Sequence, residues 1–400
     1  MRYTMHVVEY FLSSAKKDNY FTMRHFKLAC LAKFNPLPLL LLVVWSVCGS
    51  NTANASVAKV VFFCPTPASS PYFKVSTEVM RAAAKNLDLD LEIIYGDNNA
   101  KTSQRKLEQL FSRDKLPDYL LLLNRRNSTA NIMSRADALG IHTILFHGAY
   151  TNSSFRQLRE GPNALKHWIG QVLPDEVQSG WLLTERLVHA ARAANAYDKN
   201  GVIQVVGING SLNSTTSRLR DFGMRTYVTS QPDVNLQKVL HANWRQNTAR
   251  VKTTQLLRRY EDTTVIWAAN NTMAIGATEA CIALACTPGE DMFIAGMNWL
   301  PSIFEPMRQN KVVGTVGGYI FDAAWAMVLA FDHHNGSLDN FVDERTKSYF
   351  IGKDDIDAAE TLMHPTYWNA IDFSQYSKTK NGNAIYNFDA KQLLLKASES

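Results

Sequence analysis

The chain has little of what marks catalytic or metal-binding proteins. Its 400 residues include five cysteines, none of them in a C-x-x-C pair, which excludes the common zinc frameworks. No G-x-S-x-G or H-E-x-x-H occurs. Val206-Gly207-Ile208-Asn209-Gly210-Ser211 contains glycines, but it lacks both the full G-x-G-x-x-G and the P-loop lysine, so it reads as a strand-to-helix turn. Asp332-His333-His334 looks metal-like, yet adjacent histidines diverge on a helix and no distant partner is evident. A solvated helix end is the expectation. No catalytic residue, cofactor or metal is expected, and the chain is not read as an enzyme. A basic stripe with interleaved aromatics is also missing. Six of the Lys/Arg, against two acids, fall in residues 1–55, leaving about +2 of the formal +6 for the rest, so nucleic acid is excluded as a partner.

No apolar run is long enough for a comfortable membrane span. The run that does exist, Leu37-Pro38-Leu39-Leu40-Leu41-Leu42-Val43-Val44-Trp45, follows Arg24, Lys27 and Lys33 and precedes Ala53-Asn54-Ala55. That order is an export signal, residues 1–55, with cleavage after Ala55, release to the periplasm, and Met23 as an alternative start. A retained anchor is the other reading. Three cysteines then remain, Cys64, Cys281 and Cys286. An odd number argues against a disulfide framework. Cys281 and Cys286 lie five apart on one predicted helix with diverging side chains, so all three are expected to be small apolar fillers.

With 46% apolar residues the chain can fill about two cores. From Ser56 apolar runs alternate with amphipathic segments. Val57–Cys64, Leu91–Tyr95, Tyr119–Leu123 and Thr143–Phe146 read as strands, with helical spacing between them and over Pro174–Ala194. The alternation resumes at Val202–Val206, Thr226–Thr229, Thr264–Ala268, Met292–Ala295 and Val312–Val316, again with helical segments between. Such alternation predicts parallel α/β layers, with ligands at the carboxyl ends of the strands. Helical spacing over Phe321–Asp332 and a strand at Ser348–Ile351 follow. Ala149–Ser154 reads as a loop. The tail, Met363–Ser400, has no clear period and is expected on the surface of one lobe.

Val265 to Ala280, VIWAANNTMAIGATEA, carries the sharpest signal. A short apolar strand breaks at Asn270-Asn271 and hands over to a helix, leaving free N–H groups at the junction. Asn270 there is either the helix cap or an amide facing a polar, uncharged ligand.

These residues resemble the type I periplasmic binding proteins, in the ribose-binding and autoinducer-2-receptor branch. Ser69-Ser70-Pro71-Tyr72-Phe73 resembles the family's Asn-Pro-aromatic-aromatic segment. Ile169-Gly170-Gln171 with Asp175 resembles the crossing into the second lobe. Ile266-Trp267-Ala268-Ala269-Asn270-Asn271 with Met273-Ala274-Ile275-Gly276-Ala277 is close to the Ala-Asn-Asp-x-Met-Ala-x-Gly-Ala signature. Gly296-Met297-Asn298-Trp299 and Gly314-Thr315-Val316-Gly317-Gly318 match later landmarks. The likeness covers roughly 57–352.

The resemblance implies two Rossmann-like α/β lobes with parallel sheets joined by a three-crossover hinge. Residues 56–171 would begin the first lobe, 172–317 form the second, 318–346 return to the first, and 347–400 carry the third crossover and tail. By position it implies a ligand set of Ser70, Tyr72, Phe73, His147, Arg218, Trp244, Asn270 and Asn298. Aromatic faces would stack on sugar rings, and amides and guanidinium would bond the hydroxyls. Asn271 replaces the signature aspartate, Asn298 stands for aspartate, His147 for arginine, and Gly318 for a glutamine, so ribose itself is not expected. The implied protein is a monomer that takes a sugar-like small molecule to a membrane permease of an ABC transporter. The alternative is a receptor that signals to a membrane sensor protein such as a histidine kinase, cyclase or chemoreceptor.

Overall fold

In the computed structural model, residues 57–124, 128–382 and 385–399 are described; the export signal lies outside them. Ser56–Ser400 forms one compact unit containing two six-stranded sheets.

The first sheet is built from β1 (Lys59–Cys64), β2 (Asp90–Tyr95), β3 (Tyr119–Leu122), β4 (His142–Phe146) and β5 (Trp168–Pro174), joined by α1 (Pro71–Asn86), α2 (Ala100–Phe111), α3 (Ser128–Ala138) and α4 (Asn152–Glu160). The chain then enters the second sheet through α5 (Glu176–Ala193). There β6 (Ile203–Asn209), β7 (Val234–His241), β8 (Val265–Ala268), β9 (Phe293–Met297) and β10 (Gly314–Gly317) alternate with α6 (Thr215–Ser230), α7 (Gln246–Arg259), α8 (Asn271–Ala283) and the short α9 (Phe304–Arg308). A 3₁₀ turn at Tyr319–Phe321 leads into α10 (Asp322–His334), which packs back on β4 and β5. β11 (Val342–Thr346) then closes the first sheet and β12 (Tyr349–Ile351) the second.

The strand orders are β11-β5-β4-β3-β1-β2 and β12-β10-β9-β8-β6-β7. Every pair is parallel except β10 with β12. The chain thus passes between sheets at Pro174–Glu176, at 317–322 and at 346–349. The expected architecture, two α/β lobes with parallel sheets, is found. Central strands are buried throughout, as in Tyr119-Leu120-Leu121-Leu122 and Val265-Ile266-Trp267-Ala268, because helices cover both faces of each sheet.

Several details depart from expectation. The first sheet continues to Pro174, past the boundary expected after Gln171. Thr226–Thr229 is the last turn of α6, not a strand: Tyr227 and Val228 are buried on the helix's inner face. The strand in that region is β7. Residues 152–154, expected to end a loop, instead begin α4, capped by Thr151, whose hydroxyl accepts from Ser154 N at 3.3 Å.

The cysteine expectation is also overturned. Cys281 and Cys286 form a disulfide, with Cα atoms 5.2 Å apart, and Cys64 is buried outside any disulfide. Helix α8 stops at Ala283, and Ala285 turns left-handed with φ 65°. Cys286 N then bonds Cys281 O at 3.2 Å and Ala285 N bonds Ile282 O at 3.1 Å, the paired bonds of a Schellman cap. That reversal folds the second cysteine back over the first.

The tail is helical and touches both lobes rather than one. It contains α11 (Ile356–Leu362), α12 (Pro365–Ala370), a 3₁₀ turn at Phe373–Tyr376, α13 (Lys378–Asn381) and α14 (Ala390–Ser398). Helix α11 lies against α9 of the second lobe, and α12 against α1 of the first. Among the described residues no helix is long and apolar enough to cross a membrane.

Candidate functional site

The carboxyl ends of the strands carry a cluster of unusual backbone. His147 after β4 has φ 57°, Trp244 after β7 has φ 65°, Asn298 after β9 has φ 118°, and Gly318 after β10 has φ 112°. Side-chain-bearing residues pay for such conformations, and they persist where surrounding packing enforces them, characteristically at ligand-binding sites.

Around these ends, side chains from both lobes converge on Tyr319 at the second crossover. From the first lobe, Tyr72 stacks on His147 (ring centroids 5.0 Å apart, 30° between planes) and meets Phe73 edge-on at 5.0 Å. The Tyr72 hydroxyl donates to the Tyr319 carbonyl at 3.3 Å. From the second lobe, Asn298 Oδ1 accepts from the Tyr319 hydroxyl at 2.6 Å, and the Arg220 guanidinium lies 5.1 Å from the Tyr319 ring centroid.

Arg220 is held by Glu176 at the start of α5: Nε to Oε2 at 2.5 Å and Nη2 to Oε1 at 3.2 Å. Nη1 donates to the Ala269 carbonyl at 2.7 Å and reaches Asn298 Oδ1 at 3.5 Å. Both charged side chains are almost fully buried. Gly180 on α5 and Gly223 on α6 allow this pairing, since a Cβ at either would collide with the facing helix backbone, at Arg220 and Val177 respectively. Burial pushes the Glu176 carboxyl up and the Arg220 charge pulls it back. The forked geometry keeps the pair ionised.

His147 is neutral, because burial, aided by the Arg220 charge, pulls its imidazole down to about 3. Its Nδ1 is buried without a hydrogen-bond partner. Below Tyr319, Asp322 opens α10. It is fully buried and neither carboxyl oxygen makes a hydrogen bond of good geometry, although Thr346 lies beside it. Burial drives this carboxyl well above its ordinary range.

Of the eight residues expected from sequence, Tyr72, Phe73, His147 and Asn298 are brought together here. Ser70 stands at the N-cap of α1, half-buried, with no side-chain capping bond. Asn270 caps α8, its Oδ1 accepting from Met273 N at 2.8 Å, which is the simpler of its two readings. Trp244 folds its indole over Gly210, a position where a Cβ would collide with it, and lies outside the Tyr319 cluster.

Arg218 needs correction. It is exposed, donating only a 3.4 Å bond to Thr215 Oγ1. Residues two apart on a helix point in nearly opposite directions, and Glu176 selects Arg220 for the interior. Arg220, Glu176, Tyr319 and Asp322 were not anticipated. The signal available for Arg220 was only its place in the same Arg-Leu-Arg run.

The Asp332-His333-His334 expectation changes too. His333 is half-buried, its ring 4.4 Å from His142 and its Nδ1 2.8 Å from the Tyr119 hydroxyl. His167 lies 5.2 Å from His142. Distant partners therefore exist, yet among the described residues no group of three or more His, Cys, Asp or Glu is placed to hold a metal ion. Two surface depressions, of about 530 and 610 Å³, lie beside α11–α12 and beside the Cys286 turn, away from the Tyr319 cluster.

Residues 60–336 match the family described as the periplasmic binding protein domain. The chain belongs to the periplasmic binding protein family. It is 22% identical over 267 residues to the D-apiose import binding protein of Paraburkholderia graminis, spanning 66% of this chain and 77% of that one. Among solved structures, a periplasmic sugar-binding protein from Pseudomonas fluorescens superposes with a TM-score of 0.74 at 24% identity, over 85% of this chain and all of the other. An ABC transporter periplasmic solute binding protein from Actinobacillus succinogenes, with bound D-allose, superposes with a TM-score of 0.64 at 20% identity, over 75% and 99%. These structural likenesses show the fold. The family is one of solute-binding proteins.

Proposed function

We propose that this periplasmic binding protein captures a sugar or sugar-like polyol between its lobes and delivers it to an ABC transporter permease. One observation carries the reading: Tyr72, Phe73 and His147 of the first lobe and Arg220 and Asn298 of the second meet at Tyr319, on a segment joining them. Relatives named for D-apiose import and bound to D-allose support the solute class.

Chemically the wall is suited to sugars. Aromatic rings offer faces to C–H surfaces, while the Asn298 amide and the neutral His147 supply acceptors and donors without a fixed charge. The ring nitrogen of His147, buried and unpaired, is a ready partner for a hydroxyl. Arg220 directs four bonds to Glu176, Ala269 and Asn298, which orients Asn298 in the wall. A solute touching both walls stabilises the closed arrangement, and closure is the population shift that the permease reads.

Export to the periplasm, directed by residues 1–55, is part of the proposal. The Cys281–Cys286 disulfide suits an oxidising compartment. No catalytic role is assigned. The test is thermal shift of the chain from Ser56 onward against D-apiose, D-allose, myo-inositol and other furanoses and polyols. A sugar that raises the midpoint in proportion to the logarithm of its concentration supports the reading. A folded protein that responds to none removes it.

A further inference from the structure

We propose that the C-terminal segment, residues 356–382 and 385–398, is a strap that holds the two lobes together and sets how readily the cleft opens. It rests on the reading that the lobes part around a solute. After the three crossovers of the sheets, the chain crosses a fourth time, at Met363-His364 between α11 and α12, and returns from Phe388, stacked on α10, to α14 along α11.

The two anchors differ in kind. On the first lobe, the carboxylate of Asp332, fully buried on α10, accepts from Ser377 Oγ at 2.5 Å, Lys378 N at 2.8 Å, Thr379 N at 3.1 Å and the Tyr386 hydroxyl at 2.9 Å. The Trp325 ring, also on α10, stacks on Phe388 at 5.0 Å with 6° between planes, and Phe373 adds an edge contact at 6.1 Å. Asn86 Oδ1 at the end of α1 accepts from Ser374 N at 3.1 Å. Buried, multiply bonded contacts of this kind do not release piecemeal.

On the second lobe α11 follows β12 directly through residues 353–355 and buries Ile356, Ala359 and Leu362, while the contacts on its outer face are charged and open to solvent. Arg308 Nη2 reaches Asp357 Oδ1 at 2.7 Å and Glu360 Oε2 at 2.6 Å, with all three side chains exposed, and Lys353 Nζ donates to Asn310 Oδ1 at 3.0 Å. Exposed pairs hold weakly and are screened by salt.

Between the anchors, α14 lies along α11, and Ala390 presses against Gly318, where a Cβ would lie 3.0 Å from that of Ala390. Gly318 is in the second crossover. The strap therefore bears on the hinge itself while fastened to both walls. The strap contributes none of the proposed ligand residues, so its effect is on the open–closed balance.

The test uses the full chain without ligand, spin-labelled at Arg105→Cys on α2 and Arg258→Cys on α7, both exposed. Two changes loosen the strap: Arg308→Glu, which sets like charges together, and a flexible Gly/Ser insertion between Met363 and His364, which lengthens the fourth crossing and keeps the packing. Pulsed EPR should show the interlobe distance shifting to longer values in both. Sugar affinity should weaken about two- to five-fold, as the closed fraction falls. If Arg308→Glu does not fold, the insertion variant decides. Unchanged distances in a folded, loosened protein overturn the strap. Longer distances in a protein that binds no sugar support the strap and remove the solute reading instead.

Discussion

Arg220 and Arg218 sit two positions apart on one helix and have opposite fates. Truncating Arg220 to alanine leaves Glu176 buried without its partner, and denaturant unfolding should show a loss of about 3–5 kcal/mol. Arg218→Ala should cost about 0.5 kcal/mol or less, since nothing buried depends on it. Equal effects would mean that the guanidinium facing Glu176 has been misassigned. Sequence alone could not choose between them: the deciding carboxylate lies 44 residues upstream, on another helix. Asn298, Tyr72, Phe73 and His147 came by position from the family resemblance, and the structure gathers them around Tyr319. Tyr319 and Asp322 were not legible. What distinguishes them is convergence of two lobes on a crossover, which no window of sequence contains.

Single elements make two further predictions. The Cys281–Cys286 bridge closes a short loop that a Schellman cap already constrains, so reduction should cost at most about 2 kcal/mol of stability. Intact-mass analysis of the chain from Ser56 onward, alkylated under native, non-reducing conditions, should find no modified cysteine, since Cys64 is buried; reduction should expose two. Diverging side chains were expected because the helix was taken to continue; the left-handed Ala285 that ends it is not a residue type that announces such a turn. The histidines at the amino ends of the central strands of the first sheet give a pH dependence. His333, on α10, faces His142 from β4, Tyr119 from β3, neighbouring His167 and His334, with Asp118 and Asp137 close by. Burial and the other imidazoles pull His333 from 6.5 to about 4, and burial lowers His142 as well. The unfolded chain binds these protons first as pH drops. Their contribution is therefore fully present above about pH 6.5 and is lost as pH falls through the folded value near 4. Urea midpoints measured across that range should fall, and fall less in His333→Gln. The missing strand β7 has a different cause: its alternating exposure reflects an edge position, and the β-branched residues of Thr226–Thr229 drew the strand assignment to a helix end.

At the scale of the whole molecule, the two-lobe α/β plan was legible because buried parallel strands are short continuous apolar runs separated by amphipathic helices. The C-terminal segment was not. Its helices are short, and their order comes from Trp325, Asp332 and Arg308 in earlier parts of the chain rather than from a period of their own. The central claim is that one solute is gripped by both lobes, and a titration tests it most directly. The best sugar from the thermal-shift panel should be measured by calorimetry against wild type, His147→Ala from the first lobe, Asn298→Ala from the second, and Arg218→Ala as an exposed control. The account predicts about tenfold or greater weakening in each of the first two and no change in the third. Full-strength binding in both His147→Ala and Asn298→Ala, with the fold intact, would contradict it.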